Sequence, residues 1–133
     1  MSIYVFDSSA LIAFFNDEEG ADNVEKILLQ NNDHFISIIN VFEICYDAAK
    51  RSGYDIGIQM FEEIKQLPIK IIFEIKQNVV EKAVYFKTNF KVSVADSIAL
   101  GLAKVNDASI VTSDHHEFDC IDEAKEIKFS WFR

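Results

Sequence analysis

Five short apolar runs, at residues 2–6, 34–38, 69–73, 108–112 and 127–131, alternate along this chain with stretches of helical periodicity. Between them, apolar positions recur three and four residues apart, which places each set on one helix face. The sets are Leu11 to Phe15, then Ala21, Val24, Ile27 and Leu28, then Val41, Ile44, Cys45 and Ala48. Next come Met60, Phe61, Ile64 and Leu67, then Val79, Val80, Ala83 and Val84, then Ala95, Ile98, Ala99 and Leu102. Strands separated by helices pair in parallel, so the order predicts an α/β fold with a central, mainly parallel sheet covered on both faces. The early runs are nearly all apolar, as strands buried on both faces are. Ile127-Lys128-Phe129-Ser130-Trp131 alternates instead, which suits an edge strand with one wet face. With four glycines, one proline and no internal repeat, nothing marks a linker, and residues 1–133 are expected to form one domain.

Half of the residues are hydrophobic and 26% are charged, ordinary values for a soluble protein. No apolar run approaches the roughly 20 residues of a membrane span. Asp7 interrupts the first run early, without a basic segment ahead of it, so no secretory signal is expected. Cys45 and Cys120 lack metal-ligand or redox spacing, and are read as reduced thiols in apolar surroundings of a cytoplasmic protein. The net charge of −9 argues against holding nucleic acid by bulk electrostatics. A nuclease of this composition needs a local basic rim.

Four acids stand where elements begin or end. Asp7 closes Ile3-Tyr4-Val5-Phe6, and Asp114 follows Ile110-Val111-Thr112-Ser113. Ligands of open parallel sheets bind beyond the carboxyl ends of the strands, so both acids are expected on one edge. Each also has a structural reading as a helix N-cap, with Ser113 competing for the second cap. Ser93-Val94-Ala95-Asp96 has capping-box spacing, with an acid in place of the usual Glu or Gln. Glu43 lies among residues that favour burial, Asp47 is a like charge four residues on, and no Lys or Arg stands three or four away. Two carboxylates about 4 Å apart repel by about 4 kcal/mol at an effective dielectric near 20. A pocket of four such groups is therefore expected to need Mg²⁺ or Mn²⁺, hard cations that take oxygen ligands. Such an ion activates water and stabilises charge on a phosphoryl group, which points to phosphodiester chemistry.

Asp7-Ser8-Ser9-Ala10-Leu11, Glu43, Val94-Ala95-Asp96-Ser97 and Val111-Thr112-Ser113-Asp114-His115-His116-Glu117-Phe118 together resemble the PIN-domain nucleases. Within them the chain is most similar to the small VapC toxins of toxin–antitoxin pairs. The resemblance implies a three-layer α/β/α sandwich and metal-dependent cleavage of RNA to 5′-phosphate and 3′-hydroxyl ends. It also implies an antitoxin partner and a homodimer. Asp7, Asp96 and Asp114 match the family's main metal ligands. Glu43 matches the acid that binds metal or orients the attacking water. Ser9 and Thr112 match small hydroxyl residues that orient the ligands. Some relatives carry another acid two residues after the last Asp. Here His116 stands there, and Glu117 and Asp119 are out of register.

Lys87 and Lys91, just before the Ser93–Asp96 motif, and Lys50 and Arg51, which end the Glu43 helix, are candidates for the RNA-binding rim. Solvated surface charge is their alternative reading. Arg133 and Lys128 are further contributors. His115-His116 on a turn, near Asp119 and Cys120, lacks a second ligand pair for structural zinc. His34 is expected at a loop or strand end. Phe14, Phe15, Phe129, Trp131 and Phe132 are expected to be partly exposed and to mark partner surfaces. Three rival functions remain at this level: a phosphatase with Asp7 as nucleophile, a PIN-like binding module without activity, and an RNA-processing nuclease. The first needs an acid where Ser9 stands.

Overall fold

A computed structural model describes residues 2–133. Strands β1 (Ile3–Phe6), β2 (Asp33–Ser37), β3 (Lys70–Ile72), β4 (Ser109–Thr112) and β5 (Lys128–Trp131) form one sheet in the order β3-β2-β1-β4-β5. Every pairing is parallel, with Phe6 opposite Ile36 on one side and Val111 on the other. All five expected runs are strands, and the alternating last run is an edge strand. The helices are α1 (Ser8–Phe15), α2 (Ala21–Leu28), α3 (Ile38–Ser52), α4 (Tyr54–Lys65), α5 (Gln77–Asn89), α6 (Val94–Asn106) and α7 (His115–Glu123).

Successive strand residues face opposite ways, so the sheet separates two cores. Val5 and Ile110 pack with Phe86 of α5, Leu100 of α6 and Phe118 of α7. Phe6, Ile36 and Val111 pack on the other face with Leu11 of α1, Val24 of α2, Ile44 of α3 and Ile64 of α4. The result is the expected three-layer sandwich. Two glycines set how closely its helices approach. A Cβ on Gly101 of α6 would lie 2.6 Å from the Val79 carbonyl oxygen of α5, and one on Gly57 of α4 would lie 2.7 Å from the Cys45 carbonyl oxygen of α3.

Several local expectations change. His115 and His116 open α7 and are not on a turn; its buried face is only Phe118 and Ile121, too sparse a pattern to read as amphipathic. Val80 and Val84 turn to solvent, because α5 buries Val79, Ala83 and Phe86 instead. His34 lies inside β2 and is buried, its Nδ1 3.0 Å from the Pro68 carbonyl oxygen. Phe132 is buried beneath α1 and α2, whereas Cys120 is exposed on the outer face of α7.

The order of strands fixes where a ligand can enter. From β1 the chain continues to β2 and β3 on one side, while β4 leads to β5 on the other. The crevice of a parallel sheet opens where neighbouring strands send their connections in opposite directions, here beyond β1 and β4.

Candidate metal centre

Asp7 and Asp114 leave adjacent strands at that switch point. Asp7 caps α1: its Oδ1 accepts from Ala10 N at 3.1 Å and from Ser9 Oγ at 2.7 Å. Its Oδ2 accepts from Thr112 Oγ1, so the last residue of β4 clamps the acid that follows β1. Ser9 and Thr112 thus stand beside the acid, as their positions in the sequence suggest. Asp114 caps α7, its Oδ1 accepting from Glu117 N at 3.1 Å, and Ser113 does not compete. Both acids are helix caps, and both lie on the crevice. A helix N-terminus favours negative charge, so each cap offsets part of the repulsion between the two acids.

Asp96 lies in the first turn of α6, but the cap is Ser93, whose Oγ accepts from Asp96 N at 3.1 Å. The reciprocal half of the capping box is absent. Among the described residues no donor reaches the Asp96 carboxylate, which is left free to face Asp114. Asp96, Asp114 and Glu117 each offer an oxygen within 4.8 Å of the others, the only such acidic group among the described residues. Glu117 reaches the group because α7 turns it back over Asp114, three residues away. Counting along the chain puts it out of register; the helix puts it in place.

Glu43 comes from the middle of α3 and is half-buried, with Ser8 Oγ donating to its Oε1. Its neighbours Phe42 and Tyr46 are exposed, so the apolar flanks expected around it are only partly buried. Ser8 directly follows the Asp7 cap, so this hydrogen bond ties Glu43 to the same edge of the sheet.

Burial raises the Asp7 carboxyl to about 6, opposed by its three hydrogen bonds and assisted by Asp114. Burial raises Asp96 to about 8, and the charges of Asp7, Asp114, Glu117 and Glu43 add to it. A proton on Asp96 therefore relieves the crevice at neutral pH.

The basic residues are less free than the sequence suggests. Arg51 pairs with Asp47 at 2.8 Å, and Lys87 Nζ donates to the Val92 carbonyl at 2.8 Å. Lys50 lies over the Tyr46 ring, 5.5 Å from its centroid. Lys91 is exposed, with no bonded partner among the described residues. Lys128 opens β5 and pairs with Asp107, at the opposite end of the sheet from the acids, so it does not belong to the rim. Arg133 does reach the acidic edge, donating to Ser113 Oγ at 3.2 Å and to the Glu19 carbonyl at 2.9 Å, with part of its charge taken up by Glu18 at 3.5 Å. His115 is held by Asp119 at 2.8 Å and stacked on Trp131.

Fold and crevice define a three-layer α/β protein with a carboxylate cluster at the switch point of a parallel sheet. The chain belongs to the PIN domain family, which matches residues 4–124. Its structure is similar to that of VapBC-1 from nontypeable Haemophilus influenzae, at a TM-score of 0.74 and 17% identity over 98% of each chain. It is also similar to VapBC2 from Rickettsia felis, solved bound to a DNA fragment from the promoter. There the TM-score is 0.76 and the identity 18%, over 97% of this chain and 98% of that one. Mycobacterium tuberculosis VapC20, described as a sarcin-ricin loop cleaving toxin, matches at 0.65 and 12% identity, over 82% of this chain and 87% of that one. At these identities the likeness carries the fold. No curated protein sequence matches the chain.

Proposed function

We propose that this PIN domain is a Mg²⁺- or Mn²⁺-dependent endoribonuclease, acting in the cytoplasm as the toxin of a toxin–antitoxin pair. The observation that carries the reading is the convergence of Asp96, Asp114 and Glu117 beside buried Asp7, at the place where a parallel sheet admits a ligand. The donor set fits the ion: it is all carboxylate oxygen, with neither thiolate nor imidazole in the group. Asp7, Asp96, Asp114 and Glu117 would hold the cation, and Glu43 stands where a water can be oriented. Such an ion supplies an activated water and neutralises charge on the phosphoryl group.

The chain's own residues do the remaining work. Ser9 and Thr112 fix the Asp7 carboxylate in one orientation. Arg133, Lys50 and Lys91 offer the positive charge that a phosphate backbone needs near a repulsive crevice. A further solved relative is described as a toxin–antitoxin complex from Klebsiella pneumoniae, which with the VapBC structures supports an antitoxin partner and a dimer here. The exposed apolar groove between α3 and α4, lined by Phe42, Cys45, Tyr46, Tyr54 and Ile58, is the surface this reading gives to the antitoxin.

The test is cleavage of a mixed RNA substrate with Mn²⁺, with EDTA, and with Asp96→Asn in place of wild type. Cleavage is expected only with the metal, and the variant is expected to lose more than the roughly 10–100-fold that outer partners of a metal site cost. Cleavage that survives both EDTA and Asp96→Asn would sink the reading.

A further inference from the structure

Asn40 carries no charge for the acidic site, yet it is fully buried in the first turn of α3, on a helix that also buries apolar Val41 and Ile44. Asparagine is a poor helix former, and burying its amide is costly unless every polar atom is satisfied. Here the hydrogen bonds run in one direction. Ser37 Oγ donates to Asn40 Oδ1 at 2.9 Å, and accepts from Asn40 N at 3.1 Å as the cap of α3. Asn40 Nδ2 donates to Ser8 Oγ at 3.0 Å, and Ser8 Oγ donates to Glu43 Oε1.

A serine hydroxyl has one proton, so the polarity of this chain is determined. Because Ser8 gives its proton to Glu43, it must accept from Asn40. That requires the amide nitrogen of Asn40 to face Ser8 and its oxygen to face Ser37. Flipping the amide would set two acceptors, Asn40 Oδ1 and Glu43 Oε1, against one proton. Ser37 and Asn40 are shut off from solvent, so water cannot repair such a fault.

We infer that Ser37, Asn40 and Ser8 form a directed relay of hydrogen bonds whose purpose is to position the Glu43 carboxylate in the metal crevice. The relay rests on the nuclease reading and adds to it two positioning residues, Asn40 and Ser8. It pins Oε1 and leaves Oε2, which takes no hydrogen bond from the described residues, for a cation or its water. The relay also joins the end of β2 to the start of α1, so the two elements that follow neighbouring strands are locked where Glu43 must sit.

Mn²⁺ affinity, measured on the purified protein by electron paramagnetic resonance, tests the relay without any RNA. Ser8→Ala is expected to weaken binding about tenfold, and Ser8→Thr, which keeps the hydroxyl, to stay within about twofold of wild type. Asn40→Asp changes little in shape but turns the donor into an acceptor; its loss is expected to match that of Ser8→Ala. In a Glu43→Gln background, Ser8→Ala is expected to add nothing, because both act through one carboxylate. Thermal melts identify any variant that fails to fold; if Asn40→Asp is one, the Ser8 series alone carries the test. Full affinity in Ser8→Ala overturns the relay, as does a loss that adds in full on top of Glu43→Gln. Absence of Mn²⁺ binding in the wild type would instead overturn the nuclease reading, and the relay with it.

Discussion

A carboxyl group held at a pKa of about 8 keeps its proton at neutral pH, and Asp96 is such a group. In the unfolded chain it ionises near 3.8, so between these values the folded state binds the extra proton. Folded-state proton excess means that stability is greatest at the acid end and falls as pH rises. Without metal, the protein is expected to lose about 1.4 kcal/mol per pH unit while Asp96 alone titrates, between about pH 6 and 8. Asp7 adds to the slope below about 6. Urea melts across this range, with and without Mn²⁺, check it; a flat profile without metal would show that the carboxyl is not perturbed. Glu117→Gln is expected to weaken Mn²⁺ binding by at least about tenfold, an effect read by titration calorimetry. Asp7, Asp96 and Asp114 were legible in sequence because each stands where an element begins or ends, and Glu43 because it interrupts an apolar helical stretch. Glu117 was not, since its place depends on how α7 turns. Asn40 and Ser8 were not either, because a buried amide and a helix-start serine look alike whether or not they aim at a carboxylate.

At the scale of elements, the pairing of α5 with α6 depends on a bare backbone. Alanine at Gly101 gains helix propensity of up to about 1 kcal/mol. It also drives a methyl onto the Val79 carbonyl oxygen, 2.6 Å away, and a backbone atom cannot rotate aside. Overpacking of this kind costs about 1–3 kcal/mol, so Gly101→Ala is expected to be destabilising on balance. Chemical denaturation measures it, and a gain in stability would mean that the helices separate freely. The five strands and six of the seven helices could be read from apolar spacing, because their apolar positions recur with the period of the element even where some of them face solvent. The seventh, α7, owes its existence to the Asp114 cap and two buried side chains, a signal too short for periodicity to carry. Strand order was not legible at all. It follows from which helices cover which face, and only that order brings β1 and β4 together to make the crevice.

For the molecule as a whole, a net charge of −9 leaves little general attraction for RNA. With Arg51 and Lys87 already engaged, few cations remain to replace counterions. Binding of a single-stranded RNA by Asp96→Asn is expected to show a shallow salt dependence, with a log–log slope of about −1 to −2. Fluorescence anisotropy over a salt series gives the slope, and a value near −5 would place many more phosphates on the protein than this surface offers. The convergence of carboxylates also has a consequence for inheritance. Exchanging Asp96 for asparagine removes the cost of holding a proton on a buried carboxyl at neutral pH, so in metal-free solution the variant is expected to melt higher than the wild type. Folding does not guard this position. A lineage freed from the need for these carboxylates loses no stability by drifting there, and copies that fold well without them are the form that drift favours.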